Sequence, residues 1–303
     1  MLSPRLRWKL NRYRERIQEA FGSLFRSPPK PRVCFSCGRL VGAAEKVCSH
    51  CGASQAAFSV SVFKRLALAV IPAENPVTYL LLFANLLFFA VAYVNSVQAG
   101  AMSGLFGGID SEVLTRLGAK RADRILLNFE LWRLVMPIFL HASILHFGFN
   151  SFVLWQVGPQ VEELFGSRRF LFLYLATGVA GFVVSVWWYP FVRGFDVQTV
   201  GSSGSIFGLI GILLSYISQQ AGFASEYRAS LIRWVIFILV IGIFFPFDNA
   251  AHIGGLLTGM ALGRLVSVRR PATAAARLRL ALMSWGSVLV IAWSLAMVLL
   301  HLP

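Results

Sequence analysis

Four polar side chains stand inside stretches that are predominantly apolar: His146 and Asn150 in one, Ser203 in a second and His252 in a third. An unpaired hydrogen-bonding group is costly in hydrocarbon, and an ionisable one there marks a functional candidate. His146 and Asn150 are four residues apart and project from one helical face, a turn apart. Ser203 lies in Gly201-Ser202-Ser203-Gly204, which taken alone reads as small-residue helix packing. His252 changes that reading, because Gly255, Gly259 and Gly263 follow it three, seven and eleven residues on and share the imidazole's face. Gly204, Gly208 and Gly211 make a matching strip below Ser203. Two such faces bring backbones close and set Ser203 and His252 at one depth. A serine hydroxyl needs an adjacent base to take its proton, and His252 is the ionisable residue its run supplies ahead of a basic end.

The elements that must carry these residues belong in a bilayer. The chain is 57% apolar and 14% charged, with a mean hydropathy of +0.68, too few charges for a water-facing surface. Its net charge of +15 lies in the first third and in short loops between apolar runs, as on cytoplasmic flanks, and a nucleic-acid surface is disfavoured. Seven apolar runs approach the ~20 residues a spanning helix needs: 77–97, 145–163, 170–189, 202–219, 229–246, 251–268 and 280–301. With the N-terminus in the cytosol, the loops with Arg168/Arg169, Arg228/Arg233 and Arg264 to Arg279 are cytosolic too. Ser203, His252, His146 and Asn150 then share one layer beneath the outer surface. The 98–144 loop dissents with Arg116, Lys120, Arg121, Arg124 and Arg133, and its apolar half (Leu105, Phe106, Leu114, Leu117, Ile125, Leu126, Leu127, Trp132) is expected to contact the bilayer.

Residues 1–27 read as a basic amphipathic surface helix, and no secretory signal opens the chain. Residues 28–55 hold all four cysteines, Cys34, Cys37, Cys48 and Cys51, as two CxxC pairs ten residues apart. That spacing suits one tetrahedral Zn²⁺ in a zinc-ribbon-like module, and a segment with so little core draws its folding energy from metal. Its role is open between folding anchor, docking site for a cytosolic partner and nucleic-acid contact. Residues 56–76 are a linker, 77–268 the catalytic core, and 269–303 a cytosolic loop and seventh helix.

Over about residues 75–268 the chain resembles the rhomboid intramembrane serine proteases. The motifs are Trp132-Arg133, His141-x4-His146-x3-Asn150, Gly201-Ser202-Ser203-Gly204 and Ala251-His252-x2-Gly255-x3-Gly259, with Gly118-Ala119 and Glu162 at further family positions. The resemblance implies an all-α polytopic fold of six helices plus one, and a dyad of Ser203 as nucleophile and His252 as base. It also implies an oxyanion hole with His146 and Asn150, a membrane-inserted first loop, and single-span membrane proteins cleaved near the extracytoplasmic face. Catalysis would need no cofactor, the zinc being structural only, and the location would be a bacterial inner membrane. Phe207 stands where many members carry tyrosine, so it can stack on His252 but not hydrogen-bond. Asp248, four residues before His252, is read as a solvated loop residue, because the family pattern is a dyad. The competing reading is an inactive relative that binds membrane clients; a channel or transporter would call for intramembrane charge pairs or inverted repeats, which the sequence lacks.

Overall fold

The computed structural model describes residues 32–33, 40–42, 45, 48–50, 74–100, 108–219, 225–245, 247–268 and 271–301. The chain forms two units, Met1–Ala69 and Val70–Pro303, divided within the expected linker. In the first, strand β1 (Arg32–Val33) pairs antiparallel with β2 (Leu40–Val41), Arg32 opposite Val41. Val41 and Cys48 are buried together. The expected amphipathic helix and Cys34, Cys37 and Cys51 lie outside the described residues.

In the second unit, α1 (Pro76–Gln98) leads into the long loop, which holds two short helices, α2 (Ser111–Leu117) and α3 (Ala122–Leu127), and two 3-10 turns, Leu131–Leu134 and Met136–Phe139. Then follow α4 (Ile144–Phe165), α5 (Ser167–Trp188) with a π-turn at Tyr189–Arg193, α6 (Ser203–Ile217), α7 (Ser225–Phe244), α8 (Asn249–Leu265) and α9 (Ala274–His301). Each expected apolar run falls on a helix. Among the described residues, four helices are long and apolar enough to cross a membrane: Pro76–Gln98, Ser167–Arg193, Glu226–Phe244 and Ala274–His301. The expectation of ~20 residues per run is corrected at α6 and α8, which have 15 and 17. Both begin inside the unit, where their first turns carry the candidate site.

Two devices position the elements. The first is a carboxylate that caps a distant helix. Asn75 and Pro76 open α1 with no side-chain cap of its own, and buried Glu162 of α4 supplies one. It accepts from the backbone N–H of Val77 (3.0 Å) and Thr78 (2.8 Å), and from the hydroxyls of Thr78 and Ser167 (both 2.7 Å). These bonds satisfy amides that any helix start leaves open, and the charge suits the positive end of the helix dipole.

The second device is close contact of backbones among α5, α6 and α8. A β-carbon on Gly255 would collide with the carbonyl oxygen of Gly204, and one on Gly259 with that of Gly208. A β-carbon on Gly181 of α5 would stand 2.6 Å from Ala251 O. Small residues thus set the spacing of the helices that carry Ser203 and His252.

The loop corrects a further expectation. Leu114, Leu117, Ile125 and Trp132 are buried in protein; among its described residues the large apolar side chains it exposes are Leu127, Phe129 and Leu131, while Leu126 is half-buried and Leu105 and Phe106 lie outside the described residues. Its five cations all have acidic partners: Arg116 with Glu112, Lys120 with Asp196, Arg121 with Asp123, and Arg124 and Arg133 with Glu130. Near its C-terminal end, α9 packs on this loop, with Val298 in the same apolar cluster as Trp132 and Met136.

Candidate active site

Ser203 is the first residue of α6, and no side chain caps that helix start. The open amides of its first turn surround the serine, a setting that favours a developing negative charge. The chain reaches Ser203 through Gly201, whose φ of 127° suits glycine and whose N–H donates to Pro137 O at 2.8 Å. His252 lies in the first turn of α8, and its Nε2 is 2.8 Å from Ser203 Oγ. The Phe207 ring stacks on the imidazole at 4.4 Å between centroids and 4° between planes. Phe207 is itself fully buried and leans on Trp234, 5.7 Å away. Stacking therefore orients the imidazole, and the Phe207 ring brings no hydroxyl to hydrogen-bond it. Among the described residues, His252 Nδ1 has no hydrogen-bond partner, so no carboxylate holds that side of the ring.

His146 enters from α4. Ser143 caps that helix by accepting from His146 N at 3.2 Å, which fixes the histidine three residues inside. Ala142 N–H donates to His146 Nδ1 at 3.4 Å, which makes Nδ1 the acceptor and assigns the proton to Nε2. That N–H lies beside Gly201, as does the serine hydroxyl: a β-carbon on Gly201 would stand 2.7 Å from His146 Nε2 and 3.7 Å from Ser203 Oγ. Buried Asn150, one turn on, donates Nδ2 to His146 O at 2.9 Å. The amide has two N–H groups, so one donor remains. Ser203, His252 and His146 thus meet in one small space, with Asn150 a turn behind His146.

The neighbouring candidates point elsewhere. His141 is fully buried before α4, with its Nε2 3.5 Å from Ser202 Oγ, and Ser205 is buried against Gly178. Gly204, Gly255 and Gly259 are the contact surfaces of α6 and α8 described above. Trp132 and Arg133 lie in the loop. Arg133 donates Nη1 to Thr115 O (2.6 Å) and Ala119 O (3.3 Å), pairs with Glu130, and lies 4.3 Å from the Trp132 ring. Trp132 fills the space that Gly118, at φ 106°, leaves beside it.

Asp248 needs correction. It is buried, not solvated, and caps α8 by accepting from Ala251 N at 2.9 Å. An acid three residues ahead of Ala251, at the start of an apolar run, is a helix-start signal that the sequence carried. Thr199 and Lys120, which join this network, have no comparable signature.

Residues 128–269 match the Rhomboid domain. Every candidate from Trp132 to Gly259 lies within that matched stretch. The chain is 36% identical over 186 residues to the rhomboid protease GluP of Bacillus subtilis (strain 168), covering 60% of this chain and 33% of that protein. It is 34% identical over 161 residues to the mitochondrial RHOMBOID-like protein 6 of Arabidopsis thaliana (52% and 51%). With Rhomboid-like protease 3 of Toxoplasma gondii it shares 33% over 158 residues (50% and 58%). The matches thus span a third to just over half of these relatives, and they support the rhomboid family.

Proposed function

We propose that this chain is a rhomboid intramembrane serine endopeptidase with a six-plus-one helical core, cutting single-span membrane proteins near the extracytoplasmic face. The observation that carries the reading is the 2.8 Å contact between Ser203 Oγ and His252 Nε2, on two helices held together by glycine. His252 takes the hydroxyl proton as Oγ attacks the scissile carbonyl, then passes it to the leaving amine. Water, deprotonated by the same imidazole, hydrolyses the acyl-enzyme. His146 Nε2–H, the remaining Asn150 N–H and the Ser203 backbone N–H stabilise the oxyanion, and loss of one such donor typically costs ~10²–10³ in rate. The names of two relatives, both proteases, agree with this chemistry.

The test is fluorophosphonate labelling together with cleavage of a panel of transmembrane segments. Wild type is expected to label and cleave, and Ser203→Ala and His252→Ala to do neither. An active-conformation preparation that binds those segments without labelling would instead identify a client-binding protein.

The same proposal places the chain in a bacterial inner membrane with a cytoplasmic N-terminus, as the basic loops suggest. It also assigns Cys34, Cys37, Cys48 and Cys51 to a structural zinc. Burial of Cys48 beside Val41 accords with a ligand held inside a small module. Unchanged metal content and abundance in Cys34→Ser and Cys48→Ser would remove the zinc.

A further inference from the structure

The dyad leaves the buried acid beside it, Asp248, unused. Besides capping α8, the Asp248 carboxylate accepts through Oδ2 from Thr199 Oγ1 at 2.8 Å and from Ser185 Oγ of α5. Its backbone oxygen accepts from His252 N at 3.0 Å. Thr199 lies four residues before Ser203, so one side chain joins the helix of the base to the strand of chain that leads into the nucleophile.

That strand is anchored at both ends. Thr199 pairs with Lys120 through two backbone hydrogen bonds, Lys120 N to Thr199 O at 3.0 Å and Thr199 N to Lys120 O at 3.2 Å. The fully buried Lys120 ammonium donates to Val197 O at 2.6 Å and pairs with Asp196 at 3.3 Å. Gly201 is tied to Pro137, as above. The glycine faces of α6 and α8 fix how far apart the helices stand, yet smooth faces offer little to stop one sliding along the other. The Asp248–Thr199 bond crosses from α8 to the segment before α6 close to the dyad.

We propose that Asp248 is a positioning residue: through Thr199 and the α8 cap it sets the axial register of His252 against Ser203. It does so without touching the imidazole, whose Nδ1 has no hydrogen-bond partner among the described residues. The inference rests on the dyad assigned above.

Two hydroxyl deletions separate it from a merely structural role. Thr199→Val removes the bond that leads to the nucleophile, whereas Ser185→Ala removes the other bond to the same oxygen. With the purified full chain and a cleaved single-span substrate, Thr199→Val is expected to lower kcat ~10-fold at unchanged KM, since small misplacements of reacting groups carry large rate costs. Its labelling by fluorophosphonate should slow in parallel. Thr199→Ser, which keeps the hydroxyl, should restore kcat, and Ser185→Ala should lower Tm with kcat within ~2-fold of wild type. Asp248→Ala should lower kcat at least as far as Thr199→Val, and the double variant should add nothing, as for residues sharing one interaction. Wild-type kcat in Thr199→Val, or equal loss of kcat in Thr199→Val and Ser185→Ala, overturns the proposal while leaving the dyad intact. A wild type that neither labels nor cleaves overturns the dyad, and the positioning role with it.

Discussion

The α5–α6–α8 core and the loop over residues 108–143 both hold the site, by opposite means. In the core, positions are set by absence: Gly255 and Gly259 meet backbone carbonyls directly, and any added atom has nowhere to go. In the loop they are set by presence, with the Arg133 guanidinium bridging Glu130, Thr115 O and Ala119 O, and Trp132 packed against Gly118. Shape tolerates no enlargement but loses little when trimmed. A polar lock tolerates no trimming, because each deleted donor leaves a buried acceptor unpaired. The two regions should therefore fail under opposite kinds of substitution.

The largest effect is expected from Gly255→Ala. One methyl against Gly204 O must push α8 from α6, and a displacement of ~1 Å costs about 100-fold in rate; steady-state cleavage measures it. The overpacking itself costs about 1–3 kcal/mol, so Tm should fall less dramatically than kcat. Arg133→Ala should show the reverse order, destabilising the fold by about 1.5–3 kcal/mol, because Thr115 O and Ala119 O lose a buried charged donor. Arg133→Lys should rescue poorly, since one ammonium cannot reproduce the planar fork, and denaturant or thermal unfolding distinguishes the two. If Gly255→Ala and Arg133→Ala lose stability and rate in equal proportion, the contrast between the regions collapses.

A smaller effect is expected at Glu162→Ala, which uncaps α1 at a cost of about 1–2 kcal/mol, read as a lower Tm. The smallest concerns pH. Burial raises the Glu130 carboxyl, but the hydrogen bond and charge of Arg133, with Asn128 and Arg124, outweigh it and hold the group below its ordinary 4.5. A depressed folded value means the stabilisation is fully present above pH 4.5 and is lost as pH falls through the folded value. Hydrogen exchange of the loop should therefore be flat above pH 5, allowing for intrinsic rates, and its protection should fall in stronger acid.

What could be read from the residues differs between these regions for the same reason. His146, Asn150, Ser203 and His252 stand out because each is polar in an apolar run, and a glycine strip repeats at a helical period. The lengths of α6 and α8 were only partly legible: apolar Val266 and Val268 continue past the end of α8, whereas α6 stops at the polar Ser218 and Gln219, which the expected run included. In the loop, Leu114 and Trp132 look alike whether they face lipid or protein. Lys120 and Asp196 are 76 residues apart, and nothing local announces that they pair. Asp248 was visible as a residue and misread in setting, because its hydroxyl partners come from two other elements.

The cap on α1 has an implication for the order of events in synthesis. Glu162 follows Thr78 by 84 residues, so the first helix emerges from the ribosome with its leading amides still open. They stay so until the last turn of α4 has been made, and Ser167 joins the same carboxylate only after that. The opening helix of the unit is thus finished late, by a residue on the far side of the entire loop, and a chain stalled before Glu162 would hold that helix in place without its closing bonds.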